Sequence, residues 1–153
     1  MGWKGHSIPG INRIKGLRRT TNVTLYRQGN EKGVTKKLPG ETAYAPIVLE
    51  RGRTHDSSFE RWAARVEGFG SSAAARPQTE FRKDIIIELL NEAGQVVMAW
   101  KVYSCWPTVY SPIETMDATS TETARESMVL EHNGWERDMS ITEPVEPSYT
   151  VPH

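Results

Sequence analysis

The stretch 84-DIIIELLNEAGQVVMAWKVYSCW-106 decides the fold, because two apolar, β-branched and aromatic runs flank the short segment 91-NEAG-94. Two such runs joined by a short loop that contains glycine are typical of a β-hairpin. A helix is disfavoured, since the run of three isoleucines at 85–87 loses rotamer freedom in a helix and Gly94 would interrupt it. We therefore predict a hairpin in the middle of a sheet.

The second arm of this hairpin has one apolar and one polar parity. The apolar parity holds Val96, Met98, Trp100, Val102 and Trp106, whereas Gln95, Lys101 and Tyr103 share the other. Successive side chains of a strand point to opposite faces of the sheet. The pattern predicts that the first set is buried and that the second is not.

Further strands are predicted where β-branched and apolar residues alternate with polar ones, at residues 20–27, 44–51 and 122–132. A polar turn with two glycines at 28–35 follows the first of them, and Pro39-Gly40 is expected to end the short strand that reaches Leu38. Proline donates no backbone hydrogen bond, so Pro46 favours an edge position or the early part of the 44–51 strand.

One amphipathic helix is predicted at residues 58–67. Its apolar stripe has the spacing i, i+3, i+4, i+7, and Asp56, Ser57 or Ser58 can cap its N-terminus; the stripe consists of Phe59, Trp62, Ala63 and Val66. Residues 68–78 are low in complexity and are predicted to form a flexible loop.

Together, these elements predict an antiparallel β-barrel or sandwich of about six strands with one helix packed on it. We expect a single domain at 1–138 that begins with an extended arm at 1–16, followed by a flexible, proline-rich tail at 139–153.

Charge is divided unevenly along a chain of 153 residues with zero formal net charge. Residues 1–53 hold eleven Lys and Arg against three Glu, a net charge of +8, so the remainder carries −8. A basic half can bind nucleic acid, or its surface can meet the acidic surface of an identical copy. A third interpretation is that folding mixes the two halves and leaves no patch.

The residue types of an active site are present but not in a catalytic arrangement. His6, His55, His132 and His153 lack partners at metal-ligand spacing, and no phosphate-binding or nucleophile motif occurs. The single Cys105 lies in a strand pattern and is expected to be a core or sheet residue. We therefore predict no catalytic, cofactor-binding or metal site, no enzyme activity, no membrane anchor and no signal peptide.

The order of several short segments resembles the inner tail tube family, the tube proteins of contractile phage tails and of phage-tail-like contractile injection systems. The resemblance covers residues 11–137, and its strongest pieces are KLPG, LERG and the hairpin. In chain order the segments are 25-LYRQG-29, 37-KLPG-40, 47-IVLERG-52, the helix with Phe59 and Trp62, 82-RKD-84, 91-NEAG-94, 104-SCWP-107 and 131-EHNG-134.

The resemblance implies a tail-tube-like barrel that forms a hexameric ring, with rings stacked head to tail into a hollow tube. The loop around 28–37 would reach the neighbouring ring. The residues expected to make ring-stacking or subunit contacts are therefore Arg27, Asn30, Glu31, Lys32, Lys36 and Lys37. The polar face of the second hairpin strand would line the lumen or belong to an inter-subunit sheet. Its residues are Gln95, Lys101 and Tyr103. Opposite charges on the two ring faces would set the polarity of stacking.

The implied partners are further copies of the chain, a sheath protein, the baseplate or spike hub, a tube terminator, and a transported cargo of DNA or effector protein. The implied location is the bacterial cytoplasm during assembly and then a phage tail or extracellular injection particle. A long 67–78 loop and the tail after Asp138 leave the role open between the main tube subunit and a specialised one, such as a second tube paralogue or a tube–baseplate adaptor ring. A monomeric β-barrel binding module is the rival class, and a small enzyme whose site the sequence does not reveal is a third.

Overall fold

The fold is mainly β with one helix. A computed structural model of the chain describes residues 2–3, 6–8, 10–27, 35–52, 54–71, 81–113, 118–119 and 124–145. Its elements are β1 (Gly2–Trp3), β2 (His6–Ser7), β3 (Ile11–Lys15), β4 (Arg19–Arg27), β5 (Thr35–Tyr44), β6 (Ile47–Gly52), α1 (Ser58–Ser71), β7 (Lys83–Leu90), β8 (Val96–Ser111), β9 (Arg125–Glu131) and β10 (Gly134–Arg137). The predicted class is confirmed. These residues form more strands than the six predicted, because elements as short as β1, β2 and β10 carry too few residues for a sequence pattern.

Eight of the strands form one antiparallel sheet in the order β2-β1-β7-β8-β9-β6-β3, and β10 also pairs with β8. The sheet curls into a half-barrel, and α1 packs into its concave side. The core consists of Ile8, Ile47, Leu49, Phe59, Trp62, Ile85, Ile87, Val102, Cys105, Met128 and Leu130. Within the described chain β4 and β5 pair only with each other. They lie outside the half-barrel.

The central hairpin is β7–β8, as predicted. Asn91 closes the turn: its N–H donates to the Gln95 carbonyl at 3.0 Å, and its Oδ1 accepts the Gln95 N–H at 2.9 Å. Gly94 has φ +79°, a conformation that glycine adopts without a steric penalty.

The predicted burial of β8 is right at Val102 and wrong beyond Ser104. Lys83 lies opposite Cys105 and Ile85 opposite Val102, so β8 contains one extra residue at this point. Ser104 there has φ +53°. Such a bulge reverses the parity, so Cys105 and Pro107, rather than Trp106, take the buried positions. Met98 was also predicted to be buried and is 36% exposed.

Strand β5 passes through Pro39-Gly40, so the prediction that these residues end the strand is wrong. Pro39 lies opposite Val23, next to a shift in the β4–β5 register. The outer edge of β5 pairs with no strand in the described chain, and proline, which has no N–H, is tolerated in such edge strands. The predicted 44–51 strand is divided: Tyr44 ends β5, and β6 begins at Ile47, directly after Pro46.

The helix is confirmed and is longer than predicted. Phe59 and Trp62 are buried, and Ala63 and Val66 are half-buried. The Asp56 carboxylate accepts the Ser58 N–H at 3.1 Å and the Ser58 hydroxyl at 2.8 Å. Because α1 ends at Ser71, the first part of the predicted 68–78 loop is helical. The rest of that loop lies outside the described residues.

The described parts of the two chain ends are as follows. Strand β3 lies within the predicted N-terminal arm and pairs with β6. Residues 141–145 form neither helix nor strand, and residues 146–153 lie outside the described part. The boundaries of the single domain stay a prediction.

Candidate assembly surface

Large apolar side chains are exposed on β4 and β5, which we call the ribbon (Arg19–Arg27 and Thr35–Tyr44). Val23 and Leu25 are 63% and 66% exposed, and Tyr26 and Leu38 are 47% and 48% exposed. An isolated two-stranded sheet is at best marginally stable in water. Both outer edges of the ribbon also present backbone groups that pair with no strand of the described chain. A surface of this kind is suited to pairing with another chain.

The ribbon has two different faces. Val23 lies opposite Pro39 and Leu25 opposite Lys37, and Arg27 shares their parity. Tyr26 and Leu38 belong to the other face, where Lys36 is the cross-strand partner of Tyr26. Lys36 and Lys37, which the sequence analysis grouped together, therefore point to opposite sides of the ribbon. Of the other predicted stacking residues, Asn30, Glu31 and Lys32 lie outside the described residues.

A narrow neck joins the ribbon to the half-barrel, and we define it as residues 16–18 and 45–46. Here the chain leaves β3 for β4 and returns from β5 to β6. The Ala45 N–H donates to the Arg18 carbonyl at 3.0 Å. Gly16 has φ +90°, and a Cβ at this position would lie 2.0 Å from the Pro46 carbonyl oxygen. Only glycine fits here without a movement of the backbone.

Three rings, those of Tyr44, His132 and Trp135, pack at the base of the ribbon, and we call them the aromatic cluster. The Tyr44 ring centroid lies 5.8 Å from that of His132 and 6.1 Å from that of Trp135, both edge-on. A Cβ at Gly134 would lie 3.3 Å from the Tyr44 ring. The cluster therefore fixes the last residue of the ribbon against β10.

His132 links the neck to the aromatic cluster through its two ring nitrogens. Nδ1 accepts the N–H of Gly134 at 3.1 Å, so the proton of the neutral ring lies on Nε2. Nε2 is 2.9 Å from the carbonyl oxygen of Ala45 and donates to it. Protonation of Nδ1 would remove the acceptor that Gly134 uses. A neutral imidazole therefore satisfies both partners.

The predicted lumen residues do not lie on one surface. Lys101 and Tyr103 share the convex face of β8, and both are exposed. The Tyr103 hydroxyl donates to Glu136, and this bond raises the pKa of Tyr103. Gln95 precedes β8, and its side-chain oxygen accepts an N–H of Asn91 at 3.0 Å. It serves the turn, and the lumen roles of all three stay predictions.

A buried ion cluster lies between the sheet and the start of α1, at Arg51. Its guanidinium donates to Glu126 at 2.7 Å and to the Asp56 carboxylate at 2.9 Å, and it lies 3.9 Å above the centre of the Phe59 ring. Burial disfavours the charge of Arg51, but the hydrogen bonds and charges of both carboxylates outweigh it, and the pKa of Arg51 is raised. Glu126 also accepts the Tyr110 hydroxyl at 2.9 Å, and burial followed by that bond raises the pKa of Tyr110 to about 12.

A second charged group lies on the convex face of the β3–β6–β9 region, around the buried Glu50. Lys15 approaches its carboxylate at 3.3 Å, Arg13 at 3.7 Å and Arg125 at 3.9 Å. Each of the three cations is about half exposed. The group has two more positive charges than negative ones. The ribbon adds Arg19, Arg27, Lys36 and Lys37 against Glu41, a net charge of +3.

Sequence reasoning missed the residues that hold the ribbon and the helix in place. Arg51 and Glu126 are 75 residues apart, and His132 and Ala45 are 87 apart, so no local spacing connects them. A polar residue within an apolar strand pattern was the one available signal. Arg51, which follows Ile47 and Leu49 on the core parity, is such a residue.

The described residues carry no sign of catalytic chemistry. Cys105 is fully buried, and burial raises the pKa of its thiol to about 12, which keeps it protonated and unreactive. Among the described residues no three His, Cys, Asp or Glu side chains are grouped as a metal site would require. The helix that the structure describes is too short and too polar to span a membrane.

Comparison with protein families gives a match over residues 1–136 to the T4-like virus tail tube protein gp19 family. The match covers all the strands and the helix except the last residue of β10. The chain belongs to this family. The resemblance inferred from the sequence is thereby confirmed, and this tail tube family member has a structural role in a contractile tail or tail-like system.

Solved structures similar to this tail tube family member come from contractile injection systems. One is the anti-feeding prophage cap (AFP tube terminating cap), with 25% identity, a TM-score of 0.68 and coverage of 90% of this chain and 85% of that chain. Another is the PVC sheath-tube complex of an extracellular contractile injection system in the extended state, with 27% identity, a TM-score of 0.65 and coverage of 86% and 81%. The PVC sheath/tube terminator matches with 27% identity, a TM-score of 0.66 and 86% coverage of both chains. No curated protein matches the chain significantly.

Proposed function

We propose that the chain is the repeating subunit of the inner tube of a contractile tail or contractile injection system. Six copies form a ring, rings stack head to tail, and a sheath encloses the resulting tube. The tube conducts DNA or an effector protein into a target cell. The particle assembles in the bacterial cytoplasm, and its further partners are a baseplate or spike hub and a tube terminator.

The exposed ribbon is the observation that carries this proposal. A monomer would expose apolar side chains on both faces of two strands whose outer edges lack a strand partner in the described chain, which is unfavourable in water. Neighbouring copies in a ring or stack would cover these faces and complete the edges. The likeness to a sheath-tube complex supports the same assembly.

The test is to purify the full chain and examine it by size-exclusion chromatography and negative-stain electron microscopy over a range of concentrations. The proposal expects rings with sixfold symmetry and, as the concentration rises, tubes of constant diameter. A protein that stays monomeric at high concentration, alone and with a matching baseplate, would contradict it and favour a monomeric binding module.

A terminal ring is the second candidate, because an anti-feeding prophage cap and a PVC sheath/tube terminator match as well as the sheath-tube complex does. A terminator or adaptor binds one end of a tube and does not repeat. Polymerisation separates the two roles: long tubes from the purified chain favour the tube subunit. Single rings that attach only to the ends of preformed tubes favour the terminal role.

A further inference from the structure

The sheet extends beyond its helix cover at the end of the β7–β8 hairpin, which we call the tip (residues 88–98). On one face of β7, Ile85 and Ile87 are 0% and 4% exposed, whereas the next residue on that face, Leu89, is 51% exposed. Its cross-strand partner Met98 is 36% exposed. The core-facing surface therefore continues past α1 as an uncovered apolar patch.

The tip is acidic as well as apolar. Residues 88–98 contain Glu88 and Glu92 and no Lys or Arg. Glu92 lies in the exposed turn at the end of the hairpin, whereas Glu88 points to the opposite face of β7 from Leu89. A partner that covers Leu89 and Met98 and extends along the hairpin to its turn would come close to the Glu92 carboxylate.

One face of the ribbon has the complementary character. Val23 and Leu25 supply its apolar surface, and Arg27 and Lys37 supply positive charge on the same face. An apolar patch that ends at an acidic turn and an apolar face with basic residues match in both hydrophobicity and charge. The opposite face of the ribbon, with Tyr26 and Lys36, provides an internal comparison.

The two surfaces do not cover each other within one protomer, because Leu25 and Leu89 are both more than half exposed. The ribbon is anchored beside Gly134, which pairs with Tyr103. Met98 lies five residues from Tyr103 along β8, about 17 Å away in a strand. Two different surfaces of one chain that match each other make a heterologous contact, which produces a closed ring or an open stack.

We propose that the Val23–Leu25 face of the ribbon of one copy packs on the Leu89–Met98 tip of the next copy, with Lys37 and Arg27 beside Glu92. This inference rests on the proposed function and specifies which surfaces of neighbouring subunits meet.

A charge exchange tests the contact. Lys37→Glu and Glu92→Lys should each raise the protein concentration required for assembly by about tenfold, because each change brings like charges together. The double variant should restore assembly, since the ribbon of one copy then meets a tip of opposite charge on the next. Lys36→Glu combined with Glu92→Lys is the matched control and should show no rescue.

Cross-linking tests the same contact without a change of charge. Leu25→Cys combined with Leu89→Cys, treated with a short bis-maleimide after assembly, should give a ladder of covalent multimers. Tyr26→Cys combined with Leu89→Cys places the thiol on the opposite ribbon face and should give far fewer. The buried Cys105 should not react.

The outcomes separate this inference from the proposed function. Wild-type protein that forms neither rings nor tubes contradicts the proposed function itself. Assembly that proceeds while the charge exchange gives no rescue, and while both cysteine pairs cross-link equally, overturns the inference and leaves the tube function in place. If one cysteine variant fails to fold, the charge exchange decides alone, since Lys37 and Glu92 are exposed.

Discussion

Gly16 lies so close to the Pro46 carbonyl oxygen that a Cβ at residue 16 would be 2.0 Å from it. Because these two residues form the neck, the path of the chain into the ribbon depends on the absence of a side chain at a single position. The close approach of Gly16 and Pro46 therefore affects the orientation of the exposed ribbon.

Replacement of Gly16 by alanine should destabilise the protein more than the same change at Gly10. Both glycines have similar positive φ values, +90° and +85°, but nothing lies within 4 Å of a Cβ at Gly10. Gly10→Ala should therefore cost about 1–2 kcal/mol from backbone strain alone, and Gly16→Ala about 1–3 kcal/mol more from the clash. Urea unfolding measures both. Equal losses in the two variants would show that the neck relaxes freely.

Loss of the guanidinium at Arg51 should be among the more damaging single changes in the sheet. Arg51→Met leaves the buried Glu126 without its cation, and breaking a buried pair in this way costs about 3–5 kcal/mol. Arg125→Met removes a half-exposed cation near Glu50 and should cost less than about 1 kcal/mol. Thermal unfolding compares them. Adding Glu126→Gln to Arg51→Met should recover part of the loss, and no recovery would count against an unpaired charge as the cause.

The charge of Asp56 should make stability depend on pH in acid. The Ser58 hydrogen bond and then the Arg51 pair hold the pKa of Asp56 below its usual value, so its contribution is present above about pH 4 and is lost as the pH falls through the lowered pKa. Asp56→Asn keeps a capping oxygen and removes only the charge. The difference in unfolding free energy between wild type and Asp56→Asn should therefore be largest near neutral pH and shrink toward pH 3. A difference that stays constant with pH would contradict this account.

Tyr103 should titrate at higher pH than an ordinary tyrosine, because the bond to Glu136 raises its pKa. Glu136→Ala should bring the titration back toward about pH 10. The phenolate absorbance of each protein, minus that of the same protein with Tyr103→Phe, isolates this one group. Identical curves with and without Glu136 would exclude the hydrogen bond in solution.

Local sequence patterns predicted those elements whose buried face is determined by residues close together in the sequence. The hairpin around Asn91 and Gly94 and the helix stripe of Phe59 and Trp62 are of this kind, because each pattern repeats over two or more turns or strand pairs. The bulge at Ser104 was not predictable. One extra residue in β8 reverses which side chains are buried, but it leaves no mark in the residue composition of the strand.

The candidate surface was predicted only in part, because it depends on contacts between distant residues. The sequence marked Lys36 and Lys37 as one basic site, yet the β4–β5 register places them on opposite faces. The alternation at residues 20–27 predicted the strand but not the exposure of Val23 and Leu25, because alternation alone cannot distinguish a core face from one that a second chain covers. The neck and His132 left no local signal at all.

The bulge at Ser104 also has a mechanical consequence. Strand β8 pairs with β10 before the bulge, with β9 after it, and with β7 on both sides, as far as Cys105, so one continuous backbone runs through both parts of the half-barrel. A pull along β8 would load backbone hydrogen bonds in shear on both sides of the bulge, so that many must break together. A force applied along β8 should therefore be carried by both parts of the half-barrel together.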